Sequence, residues 1–386
     1  MQKPLIQERS VSSPRKRNFS FDLLKAIGIL SIILAHTGLN DYWMIQQTRN
    51  FDVPLMVIVS GALFWLTSGK NNSSWVEYLR KRIFRLIVPV WCFFCFFFTI
   101  AGLFSTVRGI NYPFSIKQVL YTFLLLNEGV QYVWIVRVFL LIAMIAPWLL
   151  LLQKKFKRNS TFIFAIIPVY LVYELLVKLR RLLPANGEVS GIQEFFWQRI
   201  LLNLLIDQIL FLLIPYACLF AVGIVLVQIR KSTLTKLMMA TASLFIILAI
   251  AYAIDAHAFV LTQQYKYPPR LYYLAYGLCA SIGLYLLSDR LCTRLSGMFE
   301  KPWVAKPLVF ISKSTLWIYL WHIFFLYAWV ETVGFLSGYQ SIYEFLAIIA
   351  LSIATTYLQK AFFSWLLANV SFKPGTAHFL KIAFLQ

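Results

Sequence analysis

Phe21-Asp22-Leu23-Leu24-Lys25-Ala26-Ile27-Gly28-Ile29-Leu30-Ser31-Ile32-Ile33-Leu34-Ala35-His36 opens an apolar run that continues to Leu39. A run of this length crosses roughly 30 Å of hydrocarbon only as a helix, because the backbone must satisfy its own hydrogen bonds there. Similar runs recur down the chain. They predict helices near 21–40, 51–68, 86–107, 131–152, 160–178, 201–228, 238–255, 269–288, 314–333 and 342–368. The expected fold is therefore all-α, a polytopic integral membrane helical bundle of about ten transmembrane helices.

Composition agrees. Of 386 residues, 60% are hydrophobic and 13% charged, and mean hydropathy is +0.72, far from the soluble average of about half apolar and a quarter charged. The formal charge of +21 does not point to nucleic acid. A nucleic-acid binder gathers its bases on a soluble face, whereas here they fall between apolar runs. Met1 to Asn18 is polar and basic, and the run after it is long enough to stay as an anchor, so no cleavable signal is expected. The chain divides into a basic cytoplasmic tail (1–19), a transmembrane domain (20–370) and a second cytoplasmic tail (371–386).

Short loops rich in Lys and Arg stay on the cytoplasmic side. The tail with Lys16 and Arg17 and the loops with Arg80 to Arg85, Lys154 to Arg158, Arg230 to Lys236 and Arg290 to Lys313 all fall on one side. The opposite loops are poorer in bases, apart from Lys178, Arg180, Arg181 and Arg199. Ten spans with both termini inside fit a multi-pass protein of the plasma (inner) membrane. Two outer segments, Phe114 to Asn127 and Ile192 to Ile200, read as interfacial helices. Cys92 and Cys95 form a lone C-x-x-C inside a span and read as packing residues, so no metal site is expected.

Ionisable residues inside spans are costly and by default mark function. Lys25 and His36 lie eleven residues apart, three helical turns plus about 20°, on one face and roughly 16 Å apart along the axis. Gly28, Ser31 and Ala35 lie on or near that face. Small residues there suit either helix packing or the approach of a thin ligand chain, and Lys25 could instead pair with Asp22. Ser74 and Glu77 suggest a capping box that starts an amphipathic helix running toward Pro89. On it Arg82 and Arg85 stand one turn apart, a spacing suited to a phosphate, whether of a cofactor or of membrane lipid. His257 and His378 have no partners. Tyr265-Lys266-Tyr267-Pro268-Pro269-Arg270 reads as an interfacial aromatic segment starting the eighth helix.

Together these residues resemble the acyltransferase-3 family of membrane acyltransferases. Lys25-x10-His36 is similar to its R/K-x10-H signature, Phe51 to Gly61 to its second-helix pattern ending in Ser-Gly, Arg82-x-x-Arg85 to its cytoplasmic R-x-x-R, and Tyr319-Leu320-Trp321-His322 to a late Tyr-Leu-x-His segment. Asp52 stands where many members carry histidine, and Met56 and Val57 replace an aromatic pair. The resemblance implies transfer of an acyl group, most often acetyl, from cytoplasmic acyl-CoA to a hydroxyl of a cell-surface or exported carbohydrate, with no tightly bound cofactor. His36 would be catalytic, as general base or as an acyl-carrying nucleophile. Lys25, Arg82 and Arg85 would hold the coenzyme, its thioester arm following the small-residue face. Asp52, Ser60 and His322 are candidate substrate contacts, with Ser60 and the backbone near Gly61 as oxyanion donors. A polysaccharide or anionic-substrate transporter or flippase is the alternative from another class.

Overall fold

The computed structural model describes residues 17–69, 74–182, 201–334 and 340–385. The expected interfacial helix at Ile192 to Ile200 and the tail before Arg17 lie outside the described residues. Along the chain, α1 (Phe19–Leu34) leads through a 3-10 turn and α2 (Trp43–Arg49) into α3 (Asp52–Ser68). Next come α4 (Trp75–Arg108), α5 (Ile116–Phe123), α6 (Trp134–Lys155) and α7 (Asn159–Leu182). A π-helical stretch over Leu201–Leu210 continues into α8 (Phe211–Leu226). The remainder is α9 (Lys231–Ala256), α10 (Leu271–Arg294), α11 (Ser296–Phe299), α12 (Pro302–Lys313), α13 (Thr315–Thr332), α14 (Ser341–Asn369) and α15 (Pro374–Phe384). No β-strand forms among the described residues.

Each of the ten apolar runs falls on a helix. Among the described residues, eight helices are long and apolar enough to cross a membrane, nine when α12 and α13, bent by 75°, count as one span. α1 completes the set. Its 16 residues reach only about 24 Å, and one further turn, closed by His36 N–H donating to the Ile33 carbonyl at 3.0 Å, carries the chain to His36.

Burial ranks the helices. In α8, 72% of the membrane-length window is inside the protein, and in α9 none is, so α8 is central and α9 faces lipid. α8 packs on α3 through Gly61 and Gly223. A Cβ on Gly61 would stand 2.3 Å from the Phe220 carbonyl oxygen, and one on Gly223 would stand 2.2 Å from that of Ile58. Only glycine lets the two backbones approach this closely. The Cα face of Gly61 is thus spent on helix packing.

Several sequence expectations are corrected. The amphipathic segment after Ser74 and the next span are one helix, α4, which passes through Pro89. The ring removes one helical hydrogen bond but does not end a helix held by neighbours. Ser74 makes no side-chain cap, and the Glu77 carboxylate that would complete the box pairs with Lys81 at 2.5 Å instead. A complete capping box instead joins Ser115 and Gln118 at the start of α5. The prolines at 268 and 269 lie before α10, whose N-cap is Arg270, since Tyr267 and Pro268 each precede a proline and are steered away from helical angles. The segment 371–386 is more than a tail: α15 is docked, with Ala383 fully buried and the rings of Phe363 and Phe384 stacked at 3.9 Å.

Candidate active site

His36 and His322 meet across α1 and α13. Nδ1 of His36 lies 2.9 Å from Nε2 of His322, with the rings nearly parallel at 14°. On its other side, His322 Nδ1 meets the main-chain oxygen of Tyr319. A carbonyl only accepts, so His322 carries its proton on Nδ1. Its Nε2 is then the acceptor, and His36 must donate from Nδ1. The remaining nitrogen, Nε2 of His36, keeps its lone pair. One backbone oxygen thus fixes the tautomers of both rings. Tyr132 closes the group: its ring stands edge-on to His36 at 4.6 Å, and its carbonyl accepts the Tyr319 hydroxyl. The turn after α1 is tied down by Glu344 of α14, which accepts from Gly38 N–H at 3.0 Å.

A cavity of about 480 Å³ runs from the basic end of the bundle toward this group. Lys25, Arg82, Arg85 and Lys313 surround its mouth, Ser60 lines its wall, and Ile32, Ile135 and Tyr319 lie at its deep end. No carboxylate is among its lining residues. Asp22 is instead clamped by Arg17 through two bonds of 2.7 Å and by the Ser312 hydroxyl, so Lys25 is left to the cavity. On α1 the wall is Lys25, Ile29 and Ile32, the row that leads to His36 at four- and three-residue steps. Gly28 is not part of it, because a Cβ there would strike the Met56 sulfur at 2.6 Å. The expected small-residue channel is therefore a helix contact, and the open route lies one row over.

A second cavity, about 680 Å³, opens at the opposite end between the start of α6, the end of α7, the start of α8 with the π-helical stretch before it, and the loop before α10. Gln131, Trp134, Arg137 and Tyr267 line it. Residues 131–136 therefore form a septum: Gln131 and Trp134 face the outer cavity, while Ile135 and Val136 face the inner one. The turn before it is locked by Val130 N–H donating to the Thr122 hydroxyl at 2.8 Å. Gly129 is required there, since a Cβ would come within 2.5 Å of the Thr122 nitrogen.

Asp52 is neither solvated nor open to a ligand. It is 1% exposed, takes Arg49 at 3.0 Å and Lys266 at 3.4 Å, and accepts the Val53 N–H. Burial pushes the Lys266 ammonium below its usual pKa, and neighbouring Asp52 pulls it back up. Sequence reasoning missed Arg137 and Glu344, both buried and both inside apolar runs. Their signal was an ionisable residue in a span, without a motif to attach it to.

A family model described as an acyltransferase domain matches residues 18–359. The chain belongs to the acyltransferase-3 family. Both cavities and the histidine pair lie within the matched segment, and α15 lies beyond it. No curated protein and no solved structure matches the chain. This acyltransferase-3 protein is thus a membrane acyltransferase.

Proposed function

We propose that the protein moves an acyl group, acetyl in the simplest case, from acyl-CoA to a hydroxyl of a carbohydrate. The donor enters by the basic cavity and the acceptor by the opposite one. The observation that carries this reading is the His36–His322 pair, Nδ1 to Nε2 at 2.9 Å, which leaves Nε2 of His36 as the nitrogen to take a proton, with two cavities approaching from opposite ends of the bundle. Lys25, Arg82, Arg85 and Lys313 suit the phosphates of the coenzyme, and the apolar wall beyond them suits the pantetheine arm. The distribution of bases supports a cytoplasmic cationic mouth, and we place the protein in the plasma membrane because an exported acceptor would be met there.

In the reaction, His36 Nε2 takes the proton of the acceptor hydroxyl as its oxygen bonds to the thioester carbon. The resulting imidazolium still donates from Nδ1 to His322. Collapse of the tetrahedral intermediate breaks the carbon–sulfur bond, and the proton passes from His36 to the departing thiolate. Tyr319 lines the inner cavity beside His322, so the acyl carbon arrives past its edge. His322 acts here by positioning His36, and Asp52 by holding the outer end of α3. Substrate contact is left to Ser60 on the inner wall.

The test is transfer of label from radiolabelled acetyl-CoA to glycans in membranes carrying the intact protein, at matched expression of variants. Label on saccharide should vanish with His36→Ala, and the Arg82→Ala/Arg85→Ala double variant should need more donor. Labelling indifferent to His36 would overturn the assignment. Net movement of an unmodified saccharide would revive the transport reading.

A further inference from the structure

Arg137 is 6% exposed on the first turn of α6, yet its hydrogen bonds go to neutral groups. One terminal nitrogen donates to the Gln208 amide oxygen at 2.7 Å and the other to the Asn127 amide oxygen. Its Nε has no partner among the described residues. Gln208 passes the chain on to Glu128 at 3.3 Å, so that carboxylate is held one amide away. A desolvated guanidinium with no carboxylate against it is expensive unless something anionic is there in the working state.

Arg137 lines the outer cavity, and the rest of that wall suits a sugar. The rings of Trp134 and Tyr267 stand 5.2 Å apart at 85°, two planes on which the C–H faces of a pyranose can lie. Asn127 and Gln131 supply carboxamides for hydroxyls. Arg180 is bound to Asp207 at 3.1 Å and Arg181 is exposed, so among the described residues that line the cavity three arginines stand with one aspartate, and Glu128 lies one amide beyond Arg137. This excess sits at the end of the molecule whose other loops are poor in bases. A neutral acceptor would have no use for it.

Resting on the acyl-transfer reading, we infer that the outer cavity is the acceptor subsite and that the acceptor is an acidic saccharide, bound through its carboxylate or phosphate to Arg137. The hydroxyl to be acylated then points toward Tyr132 and His36, and the anionic group sets which hydroxyl that is.

The experiment uses the full chain in zwitterionic nanodiscs and three probes: a glucuronate-containing disaccharide, the same disaccharide with the carboxylate reduced to an alcohol, and a phosphodiester-linked analogue. Binding is measured without donor, and acylation with acetyl-CoA. At least one acidic probe should bind about tenfold or more tighter than the alcohol, and which one does so tells carboxylate from phosphate. Arg137→Gln should bring the ratio toward one and Arg137→Lys should retain part of it. The comparison of probes on the unaltered protein needs no variant to fold. Equal or better binding of the alcohol would overturn the inference. Acylation of neutral sugars without acidic preference would sink the inference and keep the reaction. Acidic binding without acylation would keep the subsite and sink the reaction.

Discussion

Tyr319 supplies two groups to the histidine pair: a backbone oxygen that orients His322 and a hydroxyl that holds the Tyr132 carbonyl. The His36 ring is therefore oriented from two hydrogen bonds away. His322→Leu removes the acceptor for His36 Nδ1 and lets the wrong tautomer form, so kcat should fall roughly 10- to 100-fold with donor affinity nearly unchanged. His322→Gln, whose amide oxygen can still accept, should lose less, and steady-state kinetics on the two variants separates orientation from bulk. His36 and Lys25 were legible in the sequence because an ionisable side chain inside an apolar run has few other reasons to be there. The part played by His322 was not. It depends on a meeting of side chains 286 positions apart, and no local pattern records that.

Helices were legible for the same reason that they form: in hydrocarbon an apolar run has no other way to satisfy its backbone. What escaped were the joins. Pro89 reads as a stop but lies within α4, and α15 is too short to announce itself by hydropathy. The channel along Gly28 was misplaced by one row, because small residues serve helix contacts and ligands alike until a neighbour such as Met56 is seen. The α3–α8 crossing gives the firmest prediction among elements. Gly223→Ala drives a methyl group into the Ile58 carbonyl, so the helices must part, at a cost of about 1–3 kcal/mol or more, read as a lower melting temperature in detergent. The Asp52 cluster joins α2, α3 and the loop before α10. Asp52→Ala leaves Arg49 and Lys266 buried without a counter-charge, which should cost about 3–5 kcal/mol. Adding Lys266→Met should recover part of it.

Over the whole molecule, charge is sorted by depth. Arg82, Arg85 and Lys313 are exposed at the inner mouth, where salt screens them. Raising ionic strength from about 0.05 to about 0.5 M shortens the Debye length several-fold. The KM for acyl-CoA should therefore rise with salt, and less steeply in the Arg82→Ala/Arg85→Ala variant. The septum at residues 131–136 has a different consequence. Two water-accessible cavities bitten into opposite ends of a membrane protein leave only that short stretch, braced by Tyr319 and Tyr132, to insulate one aqueous compartment from the other. With so short a barrier between the two cavities, the transmembrane voltage should fall steeply across it. A Tyr132→Ala/Tyr319→Ala variant should conduct: proteoliposomes carrying it should collapse an imposed pH gradient faster than those with the unaltered protein, as followed by a trapped pH dye. Whatever passes between the two cavities must do so without passing protons, and these two tyrosines stand in the way of that short circuit.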